Sequence, residues 1–152
     1  MIGGGLRCSW CSRIGATGGG GLRITSPFGA RIDPVTHKAH VHTGIDIDGD
    51  MGDPIVAARA GQVVRLDRDG VGKGVVNGNC VHVVDPYGWT WSYLHLSRIL
   101  VPLGAQLAAG DVLGLMGSTG RSTGSHLHLS VRTPSGQFID PRPLFSPGVF
   151  RG

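Results

Sequence analysis

Two histidines separated by a single residue, His126 and His128, are the first candidates for chemistry in this chain. On a β-strand, side chains two positions apart point the same way, with their Cα atoms roughly 6.5–7 Å apart. Two imidazoles in this arrangement can share one small site, where one binds a metal ion and the other stands beside it. A solvated histidine pair would show the same spacing, so this pattern alone leaves both interpretations open.

A histidine and an aspartate four residues apart, His42 and Asp46, form a second candidate pair. In a straight strand they would lie about 13 Å apart, too far to share an ion whose ligands lie roughly 2.0–2.2 Å from it. The chain must therefore bend between them, and Gly44 permits such a bend. With a third ligand from the 126–128 pair, they would form a set of two imidazoles and one carboxylate. Three protein ligands with an open fourth position are typical of a catalytic zinc site.

A further histidine, His95, lies in a segment that reads as a strand. Alternation along that strand places Trp91, Tyr93 and His95 on one face. We expect a histidine among polar aromatic side chains to border a substrate groove rather than a dry core. A structural histidine with its hydrogen bonds satisfied is the alternative.

Other residues with reactive side chains have simpler interpretations. We expect His82 to be structural and Cys80 to be a small buried residue. Cys8 and Cys11 form a Cys-x-x-Cys pair, but the two further ligands that a structural zinc site needs are not found at suitable spacing. A metal role, a local disulfide and an unpaired motif all remain open for that pair.

The composition narrows the kinds of element that can position these residues. The 152 residues include 27 glycines and 9 prolines, all ten acidic residues are aspartates, and only two of the fourteen cationic residues are lysines. Such a chain is poor in glutamate and lysine, which surface helices usually contain. This composition argues against a helical bundle or a coiled coil. The absence of glutamate also excludes HExxH zinc proteases and glycosidases built on a glutamate pair.

The charge pattern bears on partners and location. The formal net charge is +4, which can favour nucleic acid, an anionic membrane surface or an anionic polymer such as a bacterial cell wall as partner. Because the arginines are scattered, with no run of three, we expect no specific nucleic-acid binding. The sequence contains no stretch of 18 apolar residues, so no membrane span is predicted.

The N-terminus lacks the apolar core of a secretory signal, so we expect a trimmed form or a protein that leaves its cell by another route. We expect a monomer.

Short apolar segments separated by tight turns follow one another from residue 22 onward. They cover residues 53–58, 61–66, 79–84, 89–96, 112–116 and 126–131. This pattern predicts an all-β domain over residues 22–152, a compact antiparallel β-sheet with few short helices. One short helical turn is predicted at 96–101. Residues 1–21 end in four glycines and are predicted to form a separate N-terminal arm.

Taken in order, the motifs resemble the lysostaphin/LytM-type zinc metallopeptidases, the M23 peptidase family. The resemblance spans about residues 24–145 and is carried by Ser26-Pro27-Phe28-Gly29, His42-Thr43-Gly44-Ile45-Asp46, Pro54-Ile55-Val56-Ala57-Ala58, Tyr93-Leu94-His95-Leu96-Ser97 and Ser125-His126-Leu127-His128. It implies an antiparallel sheet with an open groove over a metal site. It further implies zinc bound by His42, Asp46 and His128, with His95 and His126 as the catalytic pair.

The resemblance also implies a function. A chain of this kind is a zinc-dependent endopeptidase that hydrolyses peptide cross-links between the stem peptides of bacterial peptidoglycan. The alternative is a non-catalytic domain of the same fold that binds peptidoglycan or activates another hydrolase. We expect action on the cell wall, as a host enzyme or, as the small size favours, as a bacteriolytic phage endolysin. We expect cleavage at the D-Ala cross-link rather than at a glycine bridge.

One residue departs from the family pattern. Ser130 stands where the family usually has glutamate, so a contact in the groove wall is expected to be missing. Arg121, in the glycine-rich loop before His126, is a candidate contact for an anionic stem peptide. Because the chain has no glutamate to act as base, imidazole, which titrates near neutral pH, is the candidate. His126 could take the proton of water and His95 could stabilise the oxyanion, but the sequence leaves the order of these roles open.

Overall fold

Strands dominate the computed structural model, which describes residues 22–33, 35–120, 122, 124–145 and 149–151. The predicted arm over 1–21, its cysteines Cys8 and Cys11, and Arg121 lie outside the described residues. The strands are β1 (Leu22–Ser26), β2 (Gly29–Ile32), β3 (Ala39–His42), β4 (Ile45–Asp48), β5 (Pro54–Val56), β6 (Gly61–Asp67), β7 (Asn79–Val84), β8 (Thr90–Leu96), β9 (Arg98–Ile99), β10 (Gln106–Leu107), β11 (Val112–Leu115), β12 (His126–Arg132), β13 (Phe138–Ile139) and β14 (Phe150–Arg151). A one-turn helix α1 (Gly74–Asn77) and a 3₁₀ turn (Arg142–Leu144) complete the elements. Within the described ranges, no helix is long and apolar enough to cross a membrane.

One large sheet organises the described part of the chain. Its strands run in the order β10-β6-β7-β8-β12-β4-β1-β14, and β13 pairs with β12. All of its pairings are antiparallel except that between β1 and β14. A three-stranded antiparallel sheet, β5-β11-β9, and the hairpin β2-β3 lie beside it. The prediction of an all-β, antiparallel fold is confirmed.

Alternate residues of the central strands form the apolar core. The side chains of Ile45 and Ile47 in β4 and of Leu127 and Leu129 in β12 are fully buried. They pack in one cluster with Leu113 and other residues of the small sheet. Burying each large apolar side chain stabilises the fold by about 1.5–3 kcal/mol, so a shift of β12 by one residue, which would expose this set, is strongly disfavoured.

The opposite face of the large sheet is polar. Because side chains alternate along a strand, the residues between those of the core point away from it. They include Asp46 on β4, His128 and Ser130 on β12, Ser92 on β8 and His82 on β7. This face carries the candidate site.

Two local predictions are wrong. The predicted helical turn at 96–101 is instead the short strand β9, because Ser97 and Leu100 donate their backbone N–H groups to Leu115 and Leu113 of β11. Pairing across the sheet therefore replaces local i→i+4 bonds. The predicted grouping of Trp91 and Tyr93 with His95 also fails, since both aromatic side chains lie in the core, with exposures of 1% and 0%.

Candidate metal centre

The register between β4 and β12 brings an aspartate and a histidine together. Asp46 lies directly opposite His128 in this antiparallel pair, and both side chains point to the polar face. The Nδ1 atom of His128 lies 3.0 Å from Oδ1 of Asp46. Two residues 82 positions apart in the sequence thus meet through strand pairing alone.

His42 reaches the same point from the end of β3. The chain bends at Thr43 and Gly44 before β4 begins, which is the bend predicted from the spacing of His42 and Asp46. Its Nε2 atom lies 3.2 Å from His128 Nδ1 and 3.4 Å from Asp46 Oδ1. The other ring nitrogen, Nδ1, is 2.9 Å from the carbonyl oxygen of Pro27. In the neutral imidazole, a hydrogen bond donated there leaves the lone pair on Nε2, where it can bind a metal ion.

These three donor atoms fit a small divalent cation. Ligands roughly 2.0–2.1 Å from a tetrahedral centre lie roughly 3.3–3.4 Å from one another, and the three observed separations are 3.0, 3.2 and 3.4 Å. Two imidazoles and one carboxylate are ligands that zinc accepts. The three side chains are only 9–18% exposed, so the donors are held in place by their surroundings.

The electrostatics of the cluster favour an ionised carboxylate. Burial alone would raise the pKa of Asp46, but hydrogen bonds from His128 and His42 outweigh it and hold that pKa below its usual value. The hydrogen bond with Asp46 raises the pKa of His42, against the opposing effect of burial. The carboxylate is thus available as an anionic ligand over the whole physiological range.

Two further histidines stand beside the three donors. The rings of His95 and His126 lie 5.1 Å apart, and His95 is 6.2 Å from the ring of His128. The Nδ1 of His95 bonds to the carbonyl of Thr119 at 2.8 Å, and that of His126 to the carbonyl of Gly124 at 2.9 Å. Since a carbonyl only accepts, each Nδ1 carries the proton and each Nε2 keeps its lone pair. All five predicted site residues therefore lie in one cluster.

His95 reaches the polar face through an unusual backbone conformation. Its φ is +64°, in the left-handed region that non-glycine residues seldom adopt but that histidine enters more readily than most. This interrupts the alternation of β8, so His95 joins the site while Trp91 and Tyr93 face the core. Burial lowers the pKa of His95, and the charges of His126 and His128 act in the same direction against the hydrogen bond to Thr119.

A second polar cluster lies on the same face, two strands away. His82 bonds through Nε2 to Oδ2 of Asp67 at 2.8 Å and through Nδ1 to Oγ of Ser92 at 2.7 Å. Burial lowers the pKa of His82 more than Asp67 raises it. Cys80 lies close to both and is fully buried, as predicted.

This second cluster is poorly suited to a metal. Burial raises the pKa of the Cys80 thiol to about 12, and only the thiolate is a good ligand. Both nitrogens of His82 are already hydrogen-bonded. The cluster is a row of satisfied hydrogen bonds, in agreement with the structural role expected for His82.

Comparison with known proteins identifies the family. Residues 40–141 match the model of peptidase family M23. The chain belongs to this family. A curated relative, the DD-carboxypeptidase/endopeptidase Mpg of Neisseria meningitidis, is 40% identical over 119 residues, which cover 78% of this chain and 26% of that protein. The chain thus spans about a quarter of the length of the curated relatives that it matches first.

Solved M23 structures share the fold. A zinc-containing peptidase from Vibrio cholerae aligns with a TM-score of 0.70 and 32% identity, over 78% of this chain and 35% of that one. The catalytic domain of the prophage-encoded M23 protein EnpA from Enterococcus faecalis, as a mutant, aligns with a TM-score of 0.68 and 32% identity, over 80% and 89% of the two chains.

Proposed function

We propose that residues 22–152 form a zinc-dependent endopeptidase domain that hydrolyses peptide cross-links of bacterial peptidoglycan. The observation that carries the proposal is the meeting of three metal-compatible donors, 3.0–3.4 Å apart, with two histidines on one open sheet face. The names of the relatives, a DD-carboxypeptidase/endopeptidase and a zinc-containing peptidase, support both the metal and the reaction class.

His42, Asp46 and His128 would hold the zinc ion through Nε2, a carboxylate oxygen and Nδ1. When bound, zinc supplies Lewis-acid chemistry: it polarises a peptide carbonyl and lowers the pKa of water to about 7. Asp46 contributes one negative charge, which leaves the site net positive and suited to an oxyanion.

His95 and His126 would carry the proton transfers. Each is anchored through Nδ1 to a backbone carbonyl, which fixes its ring and directs Nε2 towards the cluster. An imidazole so placed can accept the proton of the attacking water at Nε2 and return it to the leaving amine. The second imidazole can donate to the oxyanion when it carries a second proton, on Nε2, and the two residues divide these steps between them.

The D-Ala cross-link is the proposed scissile bond, and the name of the Neisseria relative, a DD-carboxypeptidase/endopeptidase, supports it. The similarity to the prophage-encoded EnpA supports the narrower proposal of a bacteriolytic phage endolysin. We further propose that the domain acts on the wall as a monomer. Mass spectrometry of muropeptides released from purified sacculi identifies the bond that is cut.

Alanine variants separate the metal ligands from the proton carriers. Replacing His42, Asp46 or His128 should remove both bound zinc and muropeptide release. Replacing His95 or His126 should keep the zinc and reduce turnover by at least about 100-fold, the scale of one general acid–base group. Zinc is measured by elemental analysis. Full activity of His126→Ala would overturn the role of His126 in proton transfer. Sacculus binding by the zinc-loaded wild type without any muropeptide release would indicate the non-catalytic alternative.

A further inference from the structure

A groove continues from the candidate metal centre across the polar face of the large sheet. Its volume is about 300 Å³, at the lower end of the range for ligand pockets. His128 lies at one end, and Ser130 and Arg132 follow along β12. Side chains of β6, β7 and β8 form the rest of its floor. The groove therefore leads away from the reacting centre along a strand.

Cationic side chains line this groove. They are Arg65, Lys73 and Arg132, and none of the described residues that line the groove is acidic. Arg65 is paired with Asp67 at 2.9 Å, so its charge is largely neutralised. Lys73 and Arg132 have no carboxylate within 4.0 Å among the residues described. Two positive charges thus face the groove without a counter-ion from the described protein. Arg132 lies at the end distant from His128, whereas Lys73 lies between β6 and β7 at the end nearer to it.

Arg132 is also held in position. Its Nε donates to the carbonyl of Gly136 at 3.2 Å, and its guanidinium lies 5.6 Å from the ring of Phe138. A guanidinium anchored through Nε and an aromatic face still presents its terminal N–H groups, which match the two oxygens of a carboxylate.

Ser130 leaves the floor of the groove without a carboxylate that could neutralise a positive charge there. It lies between His128 and Arg132 on the same face, is 5% exposed, and pairs in register with Ser92. Both floor positions carry a neutral hydroxyl. A carboxylate at position 130, as the resembled family usually has, would stand between the metal centre and Arg132, and this chain has none there.

We propose that Arg132 binds a carboxylate of the substrate peptide at the end of the groove distant from the metal centre. This inference rests on the proposed function and extends it to substrate choice. His128 and Arg132 are four residues apart on one strand, about 13 Å. An extended peptide of about four residues covers the same length, so the carboxylate belongs three or four residues from the scissile bond. It can be a side-chain carboxylate or a terminal one.

Binding of uncross-linked muropeptides tests the inference without requiring cleavage. Three probes are titrated into the zinc-loaded protein: the native disaccharide tetrapeptide, the same compound with every carboxylate amidated, and one amidated only at its C-terminus. The wild type should bind the native probe up to about fivefold more tightly than the fully amidated one, which is the contribution of one exposed ion pair.

One variant and a control locate the effect. Arg132→Gln should weaken binding of the native probe by roughly two- to fivefold without changing the affinity for the fully amidated one. Arg98→Gln, an exposed arginine on β9 away from the groove, should change neither. If amidation of the C-terminus alone reproduces the loss, the carboxylate is terminal, and if it has no effect, a side-chain carboxylate is bound. Both results support the proposal.

Equal affinity of the wild type for the native and fully amidated probes would overturn the inference, as would an effect of Arg98→Gln as large as that of Arg132→Gln. Muropeptide release from sacculi is measured in parallel. Release without a carboxylate preference removes this inference and leaves the proposed function standing. A carboxylate preference without release leaves the groove assignment standing and removes the proposed function.

Discussion

Gly44 offers the sharpest test of how the metal centre is built. A Cβ added at this position would lie 2.3 Å from the carbonyl oxygen of Leu129 and 2.8 Å from Nε2 of His128. Ordinary van der Waals contact begins near 3.4 Å, so the carbonyl would have to retreat by about 1.1 Å and the imidazole by about 0.6 Å. Leu129 is fixed in β12 between β4 and β8, so the loop between β3 and β4 must move instead.

The expected cost of Gly44→Ala follows from this displacement. Overpacking of a dense site destabilises by about 1–3 kcal/mol, and a misplacement of about 1 Å in a catalytic constellation can reduce turnover about 100-fold. The moving loop carries His42, so the zinc affinity should fall as well. We expect a folded variant with a lowered Tm, weakened zinc retention under dialysis against chelator, and about 100-fold slower muropeptide release.

Gly124→Ala is the matched control. Gly124 also lies beside the site, where its carbonyl accepts a hydrogen bond from His126. A Cβ there would meet nothing within 4 Å, and the glycine has no positive φ. This variant should keep zinc and activity. If Gly44→Ala matched the wild type in zinc retention and turnover, the close approach of the loop to His128 would not be what shapes the centre.

Two further substitutions test the surroundings of the site. Tyr93→Phe removes the oxygen that accepts the hydrogen bond from the buried N–H of Ala58 at 2.9 Å. The variant should lower the free energy of unfolding by about 1–3 kcal/mol and leave turnover unchanged. Thermal melting measures the stability and a sacculus assay the turnover, and an unchanged Tm would contradict the prediction. His82→Gln tests a linkage to pH. The folded-state pKa of His82 lies below the unfolded value of 6.5, so the unfolded chain takes up its proton first, and wild-type stability should fall as pH drops below about 6.5. In urea titrations from pH 7 to 5 the variant should show a slope shallower by up to about 1.4 kcal/mol per pH unit, and identical slopes would refute the linkage.

Strand alternation is what made much of the candidate site predictable from the sequence. The 126–128 pair needed only a period of two to place both imidazoles on one face, and the bend at Gly44 followed from the distance that His42 and Asp46 had to close. The partner of His128 in the neighbouring strand could not be obtained in this way, because register depends on packing of residues far apart in the chain.

His95 shows where that reasoning fails. A strict period of two assigns it to the face of Trp91 and Tyr93, but its left-handed φ moves it to the other face. Histidine can adopt this conformation. The sequence gives no indication of it, because neither glycine nor asparagine stands at this position. The hydrogen bond from its Nδ1 to Thr119, 24 residues away, helps to hold the conformation, and a contact at that separation has no local signal.

The placement of the candidate chemistry and of the groove depends on a single strand. Along β12, Leu127, Leu129 and Val131 are buried, while His128 and Arg132 face the groove. The core residues hold the strand in register, and the rise per residue then sets the separation between the metal centre and Arg132. A one-residue slip would exchange the two faces and lose both at once. The same apolar contacts that stabilise the fold thus also determine which length of peptide can reach from the candidate metal centre to Arg132.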